Sequence, residues 1–281
     1  MLEVIKTTED LKKIRNQIQG TVGFVPTMGN LHRGHISLLE RSLKEKENTF
    51  LSIFVNPMQF GPNEDFAKYP RTIAEDIKKI ESKIEEFKIK NTVYLFTPAS
   101  NEEIYPEGFS TVVGTGPLAN ILCGKIRPGH FDGVTTVMYR LLQLVKPEET
   151  FMGEKDFQQL FLIKKMVRDL ELPYNITGLP IIRDTDGLAL SSRNQYLTQE
   201  ERTTGLILPK RLQEVARAIK ENMPQAKIQS MIDQTLQDKR WDYFEVRSTK
   251  DLFLSQERKG IVILGAFRLR QTRLLDNIVI S

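Results

Sequence analysis

The sequence predicts an α/β protein, with a parallel sheet covered by helices on both faces and a smaller α+β domain after it. Through residues 1–182, short apolar runs typical of buried strands alternate with helical patterns. From residue 183 onward, helices come first and β-branched strands cluster behind them. The turn-rich segment 183–187, Arg-Asp-Thr-Asp-Gly, marks the boundary, so we predict domains over 1–182 and 183–281.

In the first domain, the apolar run 22–25 predicts a strand that leads directly into a Pro-Thr-Met-Gly turn. Helical spacing of apolar residues begins at His35, and an amphipathic helix is predicted over 73–87. The other predicted elements are strands at 50–55, 93–96 and 151–152, an extended stretch at 176–182, and helices at 134–145 and 157–170.

The second domain is predicted to contain two helices followed by three strands. The helices cover 200–221 and 227–237, and the strands are 243–247, 260–267 and 277–280.

Composition narrows the class of protein. The 281 residues are 40% hydrophobic and 27% charged, as in a soluble globular protein. The lone Cys123, and an N-terminus without a continuous apolar stretch, favour a cytoplasmic location. The net charge of +4 arises from mixed signs, and segment 75–90 is typical of a solvated helix face. We expect binding neither to nucleic acid nor to a membrane, whereas small acidic substrates are compatible.

Two of only three histidines, His32 and His35, lie just after the first apolar run. A strand-to-helix junction presents backbone N–H groups to anions, and Gly29 and Gly34 permit close backbone approach. The pair therefore suggests phosphate binding. Two other interpretations stay open, namely that each histidine is structural or that the pair ligates a metal ion.

Two further segments follow predicted strands of the same sheet. Asn56-Pro57-Met58-Gln59-Phe60-Gly61 lies at the end of one strand, and Gln59 offers donors and acceptors to a hydroxyl or a carboxylate. Segment 153–159 follows another strand, with Lys155 suited to phosphate, Asp156 as an N-cap and Gln159 on the same helix face. An ordinary polar loop and a capped surface helix are the alternative interpretations.

The segment Leu190-Ser191-Ser192-Arg193-Asn194 combines two hydroxyls and a guanidinium suited to triphosphate oxygens. The alternative is a polar loop that opens the second domain. No nearby aspartate–histidine pair supports a serine nucleophile. Segment 125–131, with the third histidine, is a weaker candidate for a mobile loop over a site.

Taken together, these segments resemble the pantoate–β-alanine ligase family. The resemblance is carried in chain order by the segments Pro26–His35, Phe54–Gly61, Tyr69–Thr72, Gly153–Gln159 and Asp186–Asn194. It implies a Rossmann-like first domain, a second domain that closes over ATP, and a homodimer. It also implies that pantoate reacts with ATP to give pantoyl adenylate and pyrophosphate, and that β-alanine then displaces AMP, with Mg²⁺ accompanying the ATP.

The resemblance also assigns roles to residues. It implies that His35 is the proton donor, that His32 and Lys155 support the phosphates, and that Gln59 binds pantoate and β-alanine while Gln159 binds pantoate. The implied ATP-binding residues are Met28, Gly29, Asn30, Leu31, His32, Arg33, Gly34, His35, Gly153, Glu154, Lys155, Asp156, Ile182, Leu190, Ser191, Ser192 and Arg193. The alternatives are a nucleotidyl transferase that leaves the nucleotide on its product, and a nucleotide sensor without turnover.

Overall fold

The computed structural model describes residues 1–62, 64, 66–89, 92–270 and 272–281. The chain divides into two compact units. Unit 1 comprises Met1–Glu154 and Gln158–Pro180, and unit 2 comprises Lys155–Phe157 and Ile181–Ser281.

Unit 1 contains a parallel sheet of six strands in the order β1-β4-β3-β2-β5-β6. The strands are β1 (Leu2–Ile5), β2 (Val22–Thr27), β3 (Asn48–Ile53), β4 (Val93–Phe96), β5 (Glu149–Gly153) and β6 (Asn175–Leu179). The helices are α1 (Thr8–Gln17), α2 (Arg33–Glu45), α3 (Ile73–Glu86), α4 (Cys123–Ile126), α5 (His130–Val145) and α6 (Phe157–Asp169).

The strand order fixes where a ligand site belongs. The chain leaves β2 toward β3 on one side and leaves β5 toward β6 on the other, although β2 and β5 are neighbours. The carboxyl ends of β2 and β5 therefore form the topological switch point, where open parallel sheets bind ligands. Right-handed crossovers place α2 and α3 on one face and α1 and α5 on the other, consistent with the contacts within each pair.

The core of unit 1 beneath α2 and α3 is built from aliphatic side chains. Leu39 and Ile80 are completely buried and pack against Val25, Leu51 and Leu95 of the central strands. Each such side chain contributes about 1.5–3 kcal/mol relative to an exposed one. This packing holds the ends of β2 and β3 in a fixed position.

Unit 2 is an α+β unit around a three-stranded antiparallel sheet, β7 (Trp241–Ser248), β8 (Ile261–Leu269) and β9 (Thr272–Ile280). Its helices are α7 (Gln199–Gly205), α8 (Ile207–Lys220) and α9 (Gln225–Leu236). Leu212 and Ile219 of α8 pack with Phe244 and Phe267 of the sheet in one core.

The predicted fold class is confirmed, but several individual elements differ from the predictions. Strand β1 and helix α1 were not predicted, because each buries a single side chain, Ile5 and Leu11 respectively, and so lacks a clear period. The single helix predicted over 200–221 is two helices, since Pro209 lacks a backbone N–H and is tolerated only in the first turn of α8. The last strand begins at Thr272 rather than at 277.

Within the described ranges, no helix combines the length and the apolar character needed to cross a bilayer.

Candidate active site

The turn between β2 and α2 contains two consecutive residues with positive φ, a glycine and an asparagine, which tolerate this conformation. Gly29 has φ +84° and Asn30 has φ +50°, both left-handed. A Cβ on Gly29 would lie 3.0 Å from Ile53 Cγ2, so the turn packs closely on the end of β3. The Gly29 N–H donates to Thr27 Oγ1 over 3.1 Å.

Asp76 of α3 anchors this turn from below. It is completely buried, and its carboxylate accepts the backbone N–H groups of Asn30 (2.8 Å) and Leu31 (2.7 Å). Thr72 Oγ1 donates to the same carboxylate, and Lys79 Nζ donates to the Leu31 carbonyl over 2.6 Å. The prediction of a solvated face over 75–90 is therefore wrong for Asp76. Thr72 precedes Asp76 by one helical turn, but a threonine before charged residues is an ordinary helix start and does not indicate a buried carboxylate.

The histidine pair forms the N-terminal cap of α2. His32 Nδ1 accepts the Gly34 N–H over 3.1 Å, and His35 Nδ1 accepts the His32 N–H over 3.4 Å. The ring centroids are 4.0 Å apart. Because an Nδ1 that accepts carries no hydrogen, each neutral ring must hold its proton on Nε2. Both imidazoles thus carry an N–H donor on the side away from the helix backbone.

The other residues of this turn differ in exposure. Leu31 is part of the core, and its backbone N–H and carbonyl are both hydrogen-bonded within unit 1. Arg33, in contrast, is exposed at the first position of α2.

Gln59 lies in a short 3-10 helix, Pro57–Gln59, directly beyond the end of β3. Its side chain is 8% exposed; Nε2 donates to Met28 Sδ over 3.1 Å and Oε1 accepts from Asn56 Nδ2 over 3.1 Å. Asn56 in turn accepts from Tyr105 Oη over 2.7 Å. Burial raises the pKa of Tyr105 above its ordinary value, so the phenol stays a donor. The structure thus brings Met28 and Gln59, from two predicted segments, into contact.

Segment 125–131 is not one continuous loop, because it includes the end of α4 and the start of α5. His130 is the first residue of α5 and is buried, and Arg127 precedes it with a side chain 13% exposed. The histidine Nδ1 lies 2.8 Å from the Gln59 carbonyl. Sequence reasoning identified the residue but not its place beneath Gln59.

Segment 153–159 begins at the end of β5, beside β2 in the sheet. Gln158 is buried and structural, because it accepts from the Cys123 N–H and donates to the Leu118 and Ile121 carbonyls. Gln159 is half-buried, and its side chain makes no hydrogen bond to the described part of unit 1. Asp156 precedes α6, and its carboxylate accepts from Lys155 Nζ over 3.0 Å.

In unit 2, one concave site gathers the other predicted groups. It is lined by Lys155, Ser191 and Arg193, together with Asn194, Arg273 and Asp276. Ser191 caps the 3-10 helix Ser192–Tyr196 by accepting the Arg193 N–H over 3.3 Å. The buried Asp276 is neutralised by a bidentate pair with Arg183 (2.7 and 2.9 Å). Two of the three cations at this site are also paired, Lys155 with Asp156 (3.0 Å) and Arg273 with Asp242 (2.5 Å).

Two hydrogen bonds tie the predicted segments of unit 2 together. The Leu190 N–H donates to the Ile182 carbonyl over 2.9 Å, and Asn277 Nδ2 donates to the Lys155 carbonyl over 3.0 Å. Unit 2 therefore holds Lys155 on its own sheet, although Lys155 follows β5 by only two residues in the chain.

A protein-family model described as pantoate-β-alanine ligase matches residues 3–279. The pantothenate synthetase of Acetivibrio thermocellus is 42% identical over 288 residues, with 100% of both chains covered. The pantothenate synthetase of Sulfurihydrogenibium sp. is 44% identical over 263 residues, covering 92% of this chain and 91% of the relative.

Solved structures are similar over the same length. The pantothenate synthetase of Thermus thermophilus has a TM-score of 0.88 and 39% identity, with 98% of each chain covered. The pantoate-β-alanine ligase of Francisella tularensis, complexed with β-γ ATP and β-alanine, has a TM-score of 0.71 and 32% identity, covering 99% of this chain and 98% of that one.

Proposed function

The chain belongs to the pantoate–β-alanine ligase family, and we propose that it joins (R)-pantoate to β-alanine through a pantoyl-adenylate intermediate. In the first step a pantoate carboxylate oxygen attacks the α-phosphorus of ATP, and the bond from that phosphorus to the pyrophosphate oxygen breaks. In the second step the neutral amine of β-alanine attacks the activated carbonyl carbon, and the bond to AMP breaks. The amine proton is released and pantothenate is formed.

The hydrogen bonds at the N-terminal cap of α2 are the main support for the roles that we assign to His32 and His35. The first step brings two anions together, so the protein must supply donors and positive charge rather than a nucleophile. The capping bonds fix the protons of His32 and His35 on Nε2, next to the switch point at the end of β2. These donors suit the charge that develops on the phosphate and pyrophosphate oxygens. His35 acts there as the proton donor, and His32 supports the phosphates.

Gln59 and Gln159 bind the hydroxy acid in this proposal. An amide offers both a donor and an acceptor, which matches a substrate that carries hydroxyls and a carboxylate. Gln59 is held by Asn56 and Met28, so its amide is oriented before substrate arrives. Gln159 is half-buried, and its side-chain amide is not hydrogen-bonded to the residues of unit 1 that the structure describes.

Unit 2 contributes the cationic groups to nucleotide binding. Lys155 and Arg193 line one site with the Ser191 hydroxyl, and these side chains offer donors suited to triphosphate oxygens. Together with the turn residues 28–35 of unit 1 and Gly153, Glu154, Asp156, Ile182, Leu190 and Ser192, they make up the proposed ATP-binding set. Closure of unit 2 over the nucleotide is part of the same proposal.

Magnesium enters this proposal as the counter-ion of ATP. Among the described residues, no group of three or more His, Cys, Asp or Glu side chains is placed to hold a metal ion. Mg²⁺ commonly keeps several waters and binds through substrate phosphates rather than in a protein cage. The substrate is therefore written as MgATP.

A coupled assay for AMP tests the function. We expect AMP to form only when ATP, pantoate and β-alanine are all present. An adenylylated product without free AMP would instead identify a nucleotidyl transferase, and ATP binding without pyrophosphate release would identify a sensor.

The proposal includes a cytoplasmic homodimer, as the family resemblance implies. Light scattering in solution should give the mass of two chains, and the mass of a single chain would contradict the dimer.

A further inference from the structure

The third histidine lies against Gln59 and has no role in the chemistry proposed above. His130 is 8% exposed at the first position of α5. Its Nδ1 lies 2.8 Å from the Gln59 backbone carbonyl, and its Nε2 lies 2.9 Å from Arg127 Nη1. Both ring nitrogens are therefore within hydrogen-bond distance of protein atoms.

The partners of His130 leave a single arrangement of its protons. A carbonyl oxygen only accepts and a guanidinium only donates. Nδ1 must therefore carry the hydrogen that reaches the Gln59 carbonyl, and Nε2 must present its lone pair to Arg127. His130 is thus a neutral ring in the Nδ1–H tautomer, since an imidazolium would set two N–H groups against each other.

Arg127 grips the same carbonyl and is itself oriented by Glu64. Its Nη2 donates to the Gln59 carbonyl over 3.3 Å, while Nε and Nη2 form a bidentate pair with the Glu64 carboxylate at 2.5 Å each. A planar guanidinium held by two carboxylate oxygens has a fixed orientation. The position of Nη1 beside His130 follows from that orientation.

Helix α5 also contacts the backbone around Gln59 at Gly133. A Cβ on Gly133 would lie 2.3 Å from the Met58 carbonyl oxygen and 2.6 Å from Gln59 N, so the two backbones touch there. Asn56 Nδ2 also donates to the Gly133 carbonyl over 3.0 Å. Gln59 is consequently held through its carbonyl, its amide nitrogen and its side chain.

Resting on the proposed function, we propose that Glu64, Arg127 and His130 are positioning residues that set Gln59 for the hydroxy acid, with His130 locked in the Nδ1–H tautomer. None of the three needs to touch a substrate. They act through the Gln59 carbonyl, and the orientation of the Gln59 amide decides how well the acid binds.

Nitrogen NMR of protein labelled with ¹⁵N-histidine tests the tautomer directly. Only three histidines contribute, and His130→Asn identifies the signals of residue 130 by their loss. We expect a neutral Nδ1–H pattern for His130. An Nε2–H or a fully protonated pattern at neutral pH would overturn the proposal, whatever reaction the protein catalyses.

Steady-state kinetics test the positioning. His130→Ala removes one hydrogen bond from the Gln59 carbonyl, and we expect the KM for pantoate to rise about tenfold while the KM for ATP is unchanged. His130→Asn places an amide nitrogen where Nδ1 stood, so it should restore most of the pantoate affinity. Arg127→Lys keeps the charge but loses the fork, and it gives the same test if His130→Ala does not fold.

A double variant separates positioning from a general loss of stability. In a Gln59→Ala background, His130→Ala should raise the KM for pantoate no further, because the side chain that it positions is gone. An additive rise would overturn the proposal. Arg168→Ala is the matched control, since it removes an exposed arginine whose partner is Asp169. If the unmodified protein forms no AMP, the proposed function fails; normal turnover with an unaffected His130→Ala contradicts this inference alone.

Discussion

Helix α2 is capped by His32 and His35, whereas helix α5 begins with His130, and the two helix starts use histidine in opposite ways. At α2, the Nδ1 atoms of His32 and His35 accept backbone N–H groups, so each ring keeps its hydrogen on Nε2. At α5, His130 donates from Nδ1 and accepts at Nε2, so both nitrogens serve the protein itself. In our proposal, the first region presents donors to a ligand, whereas the second positions Gln59, which binds the ligand.

This difference shows that the hydrogen bonds made by a histidine ring indicate the role of that residue. The chain contains only three histidines, and each lies near a glycine. Neither the rarity of histidine nor the neighbouring residues therefore distinguish the roles of the three. The role of Nδ1 does separate them, because it accepts a hydrogen bond in His32 and His35 and donates one in His130. Substitutions in the two regions should therefore change different kinetic quantities.

The largest effect is expected when an N–H donor at the start of α2 is removed. His35→Ala removes an N–H donor proposed for the adenylation step, which typically lowers such a rate by about 100- to 1,000-fold. We expect that loss in pantoate-dependent ATP–pyrophosphate exchange. His35→Gln retains an amide N–H near the Nε2 position and should recover part of the rate. Exchange at the normal rate in His35→Ala would show that the α2 pair is only a helix cap.

A second substitution should displace Gln59 without removing a polar side chain. Gly133→Ala drives a methyl group into the backbone of Met58 and Gln59, which must shift at a cost of about 1–3 kcal/mol. We expect a lower denaturation midpoint and a raised KM for pantoate, with the KM for ATP unchanged. Gly114→Ala is the matched control, because its nearest contact would be 3.4 Å from Asp132 Oδ1. Equal effects of the two variants would contradict the close approach.

A third substitution weakens the hydrogen bonds that hold the turn before the two histidines of α2. Asp76→Asn keeps the shape, but its NH₂ group now faces one of the two backbone N–H groups that the carboxylate accepted. An unsatisfied buried group costs about 1–3 kcal/mol, so stability and ATP–pyrophosphate exchange should both fall. Glu85→Gln, on the exposed face of α3, should change neither. Normal exchange in Asp76→Asn would show that the turn needs no buried anchor.

The sequence could predict those features that leave a periodic or compositional signal. The parallel sheet, the second unit and the segments after β2, β3 and β5 follow from apolar runs that end in polar turns. Asp76 could not be predicted, since a buried carboxylate among charged neighbours looks like any solvated helix residue. The role of His130 depends on Arg127 and on Gln59, which is 71 residues away in the chain, and no local pattern reports such a contact.

The smallest effect is expected at Glu64, which acts on Gln59 only through Arg127. Burial acts to raise the pKa of Glu64, but the hydrogen bonds and charge of Arg127 outweigh it and hold that pKa below its ordinary 4.5. The carboxylate therefore stabilises the fold fully above pH 4.5, and this contribution is lost as the pH falls through the lowered pKa of Glu64. Glu64→Gln should accordingly be less stable than the unmodified protein at neutral pH, and the two denaturation midpoints should converge in acid. A stability gap that persists at low pH would show that the charge of Glu64 is not what orients Arg127.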